Sequence, residues 1–195
     1  HVFKSTNGGR RLVWPICIHY FSNGRLLVGT RNDGFFIIDE QDNIYPVPKA
    51  DISYQDAAGS TRIFEDPSRV KFWIASSFGL VRYRWDEKLV PKKELEITTK
   101  QRLPNNGVRS IAFDTCHRIW AATLQGIVVI EIDSSTNQVV RVNRFSEDQG
   151  INAEYWAEAR LATDAQGTIW AGLTNQLLKF DPSAIQFQKT PPAIV

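Results

Sequence analysis

Four stretches of this chain repeat one pattern: a turn, a short strand carrying a bulky residue and then a small one, a tight turn, and an apolar run. They are Arg25–Thr30, Lys71–Ser76, Arg118–Thr123 and Thr168–Leu173. Leu27, Trp73, Trp120 and Trp170 hold matching places, 46, 47 and 50 residues apart. A period of this size built from short strands is how propeller blades appear in sequence, because each small sheet needs a neighbour to cover its faces. The expected fold is all-β, a β-propeller of about four blades forming an open arc, that is, a partial propeller. Its repeats fall at about 14–48, 60–95, 108–145 and 157–181. Function in such an architecture is expected in the loops on its faces.

The third copy is the most legible. Val108–Phe113 alternates apolar and polar residues, as a half-buried strand does. Asp114–His117 turns the chain, with Asp placed where its side chain can bond the backbone. Arg118–Thr123, Ile127–Ile132 and Val139–Phe145 supply three further strands. The fourth copy repeats this at Ala159–Thr163, Thr168–Leu173 and Gln176–Phe180. In the second, Asp66–Arg69 makes a longer turn, and in the first Asn23-Gly24 reads as a two-residue hairpin. The small residues Gly29, Ala75, Ala122 and Gly172 are read as fitting the crowded axis. Each Trp is read on the opposite side of its strand, filling the gap between sheets.

Charge narrows the function. Twenty-three basic and 21 acidic residues leave a net charge of +2 with no long run of either sign. A nucleic-acid face needs clustered Lys and Arg, so no nucleic-acid partner is expected. No stretch approaches the roughly 18 apolar residues of a membrane span. The abrupt apolar-patterned start and the absence of Met are read as signs of a segment from a longer chain. Cys17 and Cys116 fall at different places in their repeats and are expected as free thiols.

The run Asp164-Ala165-Gln166-Gly167-Thr168-Ile169-Trp170-Ala171-Gly172-Leu173, followed by Leu177-Leu178-Lys179-Phe180-Asp181, resembles the two-component regulator propeller repeat. Asn105-Asn106-Gly107-Val108 and Ser146–Asn152 resemble the linkers that precede first strands in that family. Phe180-Asp181-Pro182 and Thr190–Val195 are similar to its exit from the last blade, so 183–195 is expected to lead toward a following domain. His117, Leu173 and Gln176 depart from the pattern. The resemblance implies the periplasmic sensor region of an inner-membrane hybrid histidine kinase, or of a related protein with a diguanylate cyclase output. It implies signals that are often derived from glycans. An arc of four blades also leaves open edges, to be covered by the rest of the propeller or by a homodimer partner.

Few residues invite chemistry. Cys17, His19, Cys116 and His117 belong to non-adjacent copies and are not expected to hold a metal. No cofactor and no catalytic set is assigned, and the segment is not expected to be an enzyme. An acid–base alternative, a lyase or hydrolase of complex carbohydrates, would rest on His19 and Tyr155. The favoured candidates are residues entering the first strands: Arg62, Asn105, Asn106, Arg109, Asn152, Tyr155, Trp156 and Arg160. Arginine and asparagine provide directional donors and aromatics provide flat platforms, the mixture a small polar ligand or oligosaccharide needs. The competing role for Tyr155 and Trp156 is to tuck between blades.

Overall fold

The structure, a computed structural model, describes residues 14–48, 51–52, 61–145, 151 and 156–185. Among the described residues, fifteen strands form four antiparallel sheets, each with its strands in chain order. The first blade is β1 (Pro15–Tyr20), β2 (Leu26–Thr30), β3 (Gly34–Ile38) and β4 (Ile44–Pro46). The second is β5 (Arg62–Glu65), β6 (Lys71–Ser76), β7 (Gly79–Trp85) and β8 (Pro91–Ile97). The third is β9 (Val108–Phe113), β10 (Ile119–Thr123), β11 (Gly126–Asp133) and β12 (Gln138–Phe145). The fourth holds β13 (Arg160–Thr163), β14 (Ile169–Gly172) and β15 (Leu177–Phe180), and the chain then enters a short 3-10 turn at Pro182–Ala184. The first strands of successive blades neighbour one another, β1 to β5, β5 to β9 and β9 to β13. The sheets therefore stand side by side around one axis as an open, partial propeller.

Three apolar layers hold the four blades. Leu27, Phe35 and Phe21 of the first blade meet Phe72, Ile74, Val81 and Tyr83 of the second. Trp73, Ala75 and Leu80 meet Ile111, Ile119, Ala121 and Val128. Trp120, Ala122 and Ile127 meet Leu161, Ile169 and Ala171. The second strands of the two inner blades, β6 and β10, are thus covered on both faces, odd residues of β6 toward one neighbour and even residues toward the other, as the period of two requires. Trp73 shares its face with Ala75, and Trp120 with Ala122, so the expectation that Trp and small residue lie on opposite sides is corrected. At Gly29 the need for a small residue comes from within the blade. A Cβ on Gly29 would collide with the Cys17 sulfur and sit 2.9 Å from Phe35, side chains of its own blade rather than of a crowded axis.

The turn between first and second strands is the same device three times. Trp73, Trp120 and Trp170 each donate the indole N–H to an aspartate at the turn's start, Asp66 at 3.2 Å, Asp114 at 2.9 Å and Asp164 at 2.8 Å. The other carboxylate oxygen accepts backbone N–H groups of the turn, from Ser68, from Cys116 and Arg118, and from Gln166 and Thr168. One carboxylate so fixes the turn and satisfies the polar edge of a Trp, which packs between blades in the case of Trp73 and Trp120. In the first blade Phe21 and Leu27 occupy the corresponding places, both fully buried. The hydrogen-bonded couple has been exchanged whole for an apolar one. The loop there is Ser22-Asn23-Gly24, with Phe21 N–H bonded to Arg25 O and Gly24 at φ +80°, so it is three residues long instead of two.

The arc ends on two uncovered faces. Trp14, Ile16, Ile18 and Tyr20 alternate along the start of the first blade and are 62, 38, 65 and 66% exposed. At the far end no described residue lies within 4 Å of a Cβ placed on Gly172. No helix among the described residues is long and apolar enough to cross a membrane.

Candidate ligand site at the axial mouth

The first strands line the axis, and their starts form its mouth. Strand register puts Cys17, Arg62, Ser110 and Arg160 on one rung, opposite Gly29, Ala75, Ala122 and Gly172. Two of the predicted arginines therefore occupy equivalent places. Arg109 precedes this rung, beside the register shift between Ala122 and Thr123.

Arg62 and Arg160 act on each other. Partial burial lowers the affinity of Arg62 for its proton, and the Arg160 charge lowers it further, against Glu158 and Cys17. Arg160 lies 3.6 Å from Glu158 and donates to Ala159 O at 2.8 Å. Arg109 is half-buried, and its Nε and one terminal nitrogen are buried with no hydrogen-bond partner. Two guanidiniums, Arg62 and Arg160, thus act on each other with Glu158 beside them, while Arg109, from the neighbouring strand, is a guanidinium with unmatched donors of the kind that suits a planar anion. Burial pushes the Cys17 thiol up to about 11, against a hydrogen bond at Gly29 and the Arg62 charge.

The mouth does not gather every candidate. The Asn105 side-chain oxygen accepts from Gly107 N at 2.7 Å, and that of Asn106 from Thr99 N at 2.8 Å. Both side-chain oxygens hold the connection into β9 in shape. Trp156 is 9% exposed and packs with Ile151, Ala159 and Leu161 against the third blade. This burial agrees with the competing role, a ring tucked between blades. Tyr155 and Asn152, like the linker 146–150 and the exit 186–195, lie outside the described residues.

Deeper along the axis a cavity of about 410 Å³ touches all four first strands. Its wall is largely apolar, from Phe64, Ile111, Phe113 and Leu161, with His19 and Glu65 the ionisable exceptions. His19 packs edge-on against Phe21 at 4.6 Å, and its Nε2 is buried without a partner. Burial lowers its pKa below the usual histidine value, against the opposing Glu65 charge. Glu65 is itself held by Ser22, whose hydroxyl donates to it at 2.5 Å. No sequence reading flagged Glu65. Both cysteines are free, Cys116 exposed in its turn, and no group of three or more potential metal ligands occurs among the described residues.

No family model matches the chain, and no curated protein matches it by sequence. Solved structures do. The extracellular domain of a protein described as a hybrid two-component system of B. thetaiotaomicron superposes with a TM-score of 0.66 at 23% identity, over 93% of this chain and 24% of that one. A second extracellular domain from the same organism, of a protein described as a one-component system, gives 0.66 at 18% over 96% and 25%. A virginiamycin B lyase from Staphylococcus aureus gives 0.52 at 12% over 88% and 57%. The chain spans about a quarter of the two extracellular domains. At these identities the likeness speaks to fold, and the fold is a four-blade stretch of β-propeller.

Proposed function

We propose that this chain is an extracytoplasmic ligand-sensing segment of a bacterial two-component signalling protein of the hybrid histidine kinase type. It takes an acidic glycan fragment, or another small polar anion, at the axial mouth. The observation that carries this reading is the coupling of Arg62 and Arg160, which hold the same rung in the second and fourth blades, with Glu158 beside them. Arg109 contributes two buried nitrogens that want acceptors. The likeness to two bacterial extracellular domains supports the sensing role and a periplasmic setting. The open faces would be covered by the rest of a propeller or by a second copy. Occupancy that draws three blades together would alter the angle between those faces, and so pass to an output domain.

Titration with a panel of acidic and neutral oligosaccharides, followed calorimetrically, tests this. Saturable binding of acidic members, weakened at least tenfold by the pair Arg62→Ala and Arg160→Ala, is expected. Equal binding of neutral members, or indifference to both substitutions, contradicts it.

A second reading, a propeller lyase or hydrolase of complex carbohydrates, is favoured by His19, whose buried Nε2 lines the axial cavity near Glu65. It requires product from an oligosaccharide and loss of turnover in His19→Ala with the fold retained.

A further inference from the structure

A second anion site lies away from the axis, on the opposite face of the arc. Between the second and third blades opens a cleft of about 370 Å³ lined by Ser68, Lys71, Trp73, Arg82, Ser134 and Asn137 among others. Such a volume suits a small ligand.

The cleft lies where a cation, rather than an aliphatic residue, stands between two blades; the fourth blade has Lys179 at the same place, over Trp170, but on the end of the arc. On the third strands, the residue paired with the bulky position of the second strand is Ile37 in the first blade and Val129 in the third. In the second blade it is Arg82. Aliphatic side chains seal the other two layers, and here a guanidinium 7% exposed stands in that place. Burying a cation at an apolar seam costs stability unless charge and hydrogen bonds offset it.

The offset is incomplete. Arg82 lies over the Trp73 ring at 5.3 Å, and its Nε is 3.2 Å from Glu94, at an angle that makes no hydrogen bond. Glu94 is shared with Lys71 at 3.6 Å and Arg84 at 3.0 Å, so three cations divide one carboxylate. Asp66, the other acid on the cleft, already accepts from Ser68 N and from the Trp73 indole. Counting it, the group keeps one positive charge in excess. Opposite stands the β11–β12 turn, where the Asn137 amide donates to Glu94 O at 3.2 Å and so fixes that wall beside the cations.

We infer that this cleft binds a small hydroxylated monocarboxylate, its carboxylate held between Arg82 and Lys71 and its hydroxyls facing Ser68, Ser134 and Asn137. A carboxylate supplies the acceptor that Arg82 Nε lacks, and stacking on Trp73 holds the guanidinium plane ready for it. The site is independent of the axial mouth.

NMR titration of the 15N-labelled protein with glucuronate, and with glucose as the neutral control, tests the inference. Glucuronate is expected to shift the amides of Ser68, Lys71, Ser134 and Asn137 saturably, and glucose to leave them in place. Lys71→Gln, which removes one partly exposed cation, is expected to weaken glucuronate about tenfold, the typical effect of losing one charged contact. Arg82→Met is expected to abolish the shifts, and because it alters a buried position, Lys71→Gln carries the same prediction without that risk. Equal shifts with glucose overturn the inference, as does unchanged affinity in Lys71→Gln. Shifts confined to Arg62, Arg109 and Arg160 overturn it too, while leaving the axial reading intact.

Discussion

Asp114 shows how much structure one carboxylate organises. It is 4% exposed and accepts from Trp120 Nε1 at 2.9 Å, from Cys116 N and Arg118 N, and from Arg118 Nε at 2.6 Å. Arg118 in turn donates to Pro182 O at 2.8 Å, tying this turn to the end of the fourth blade. Asp114→Ala leaves a buried indole N–H and a mostly buried guanidinium without their acceptor, a loss of about 3–5 kcal/mol. Urea denaturation is expected to show a drop of that size with the slope unchanged, and a drop below about 1 kcal/mol would contradict the account. His117 adds a second residue-level point. It takes φ +59° at the place where Gly24 and Gly167 have φ +80° and +81°, so a residue that looks like a departure from the repeat occupies the same backbone conformation.

The outer hairpins repeat as strictly as the inner turns. Asp39, Asp86 and Asp133 end or follow the third strands, and Asp181 follows β15, at spacings of 47, 47 and 48 residues. Each side chain accepts N–H groups of the turn it starts. The Ser135 hydroxyl and turn N–H groups hold Asp133 down to about 2, and the Ser183 hydroxyl and N–H lower Asp181. A carboxyl whose pKa is depressed by folding contributes stability above its unfolded value near 3.8, and that contribution disappears as pH falls through the folded value. Stability is therefore expected to hold down to about pH 4 and to decline toward pH 2. A thermal-unfolding series in which Tm is level between pH 4 and 2 would contradict this.

This scale also shows what the sequence could say. Strands β9 to β12 were legible because alternation, turn residues and a Trp coincide there. The Asp–Trp couples were only half legible: the aspartate was read as bonding its own backbone, and its link to an indole six or seven residues on needs the register that folding supplies. Arg62 and Arg160 were legible from their place in the repeat, whereas Arg82 was not. Nothing in its local sequence distinguishes a solvated strand arginine from one pressed between sheets.

As a whole, the molecule is an arc with unequal ends. Its first face carries Trp14, Ile18 and Tyr20, all more than three-fifths exposed, next to an inner strand whose opposite side is packed. Apolar surface of this kind favours association. Light scattering is expected to give a mass above that of a single chain, falling to one chain in Ile18→Glu, while a dilute monomer unaffected by that change would contradict it.

The most direct test of the account is hydrogen–deuterium exchange on the protein alone and saturated with an acidic oligosaccharide. The account predicts slowed exchange at the starts of β5, β9 and β13, and none of that slowing in the Arg62→Ala, Arg160→Ala protein. Binding that leaves those three strand starts unprotected would contradict it.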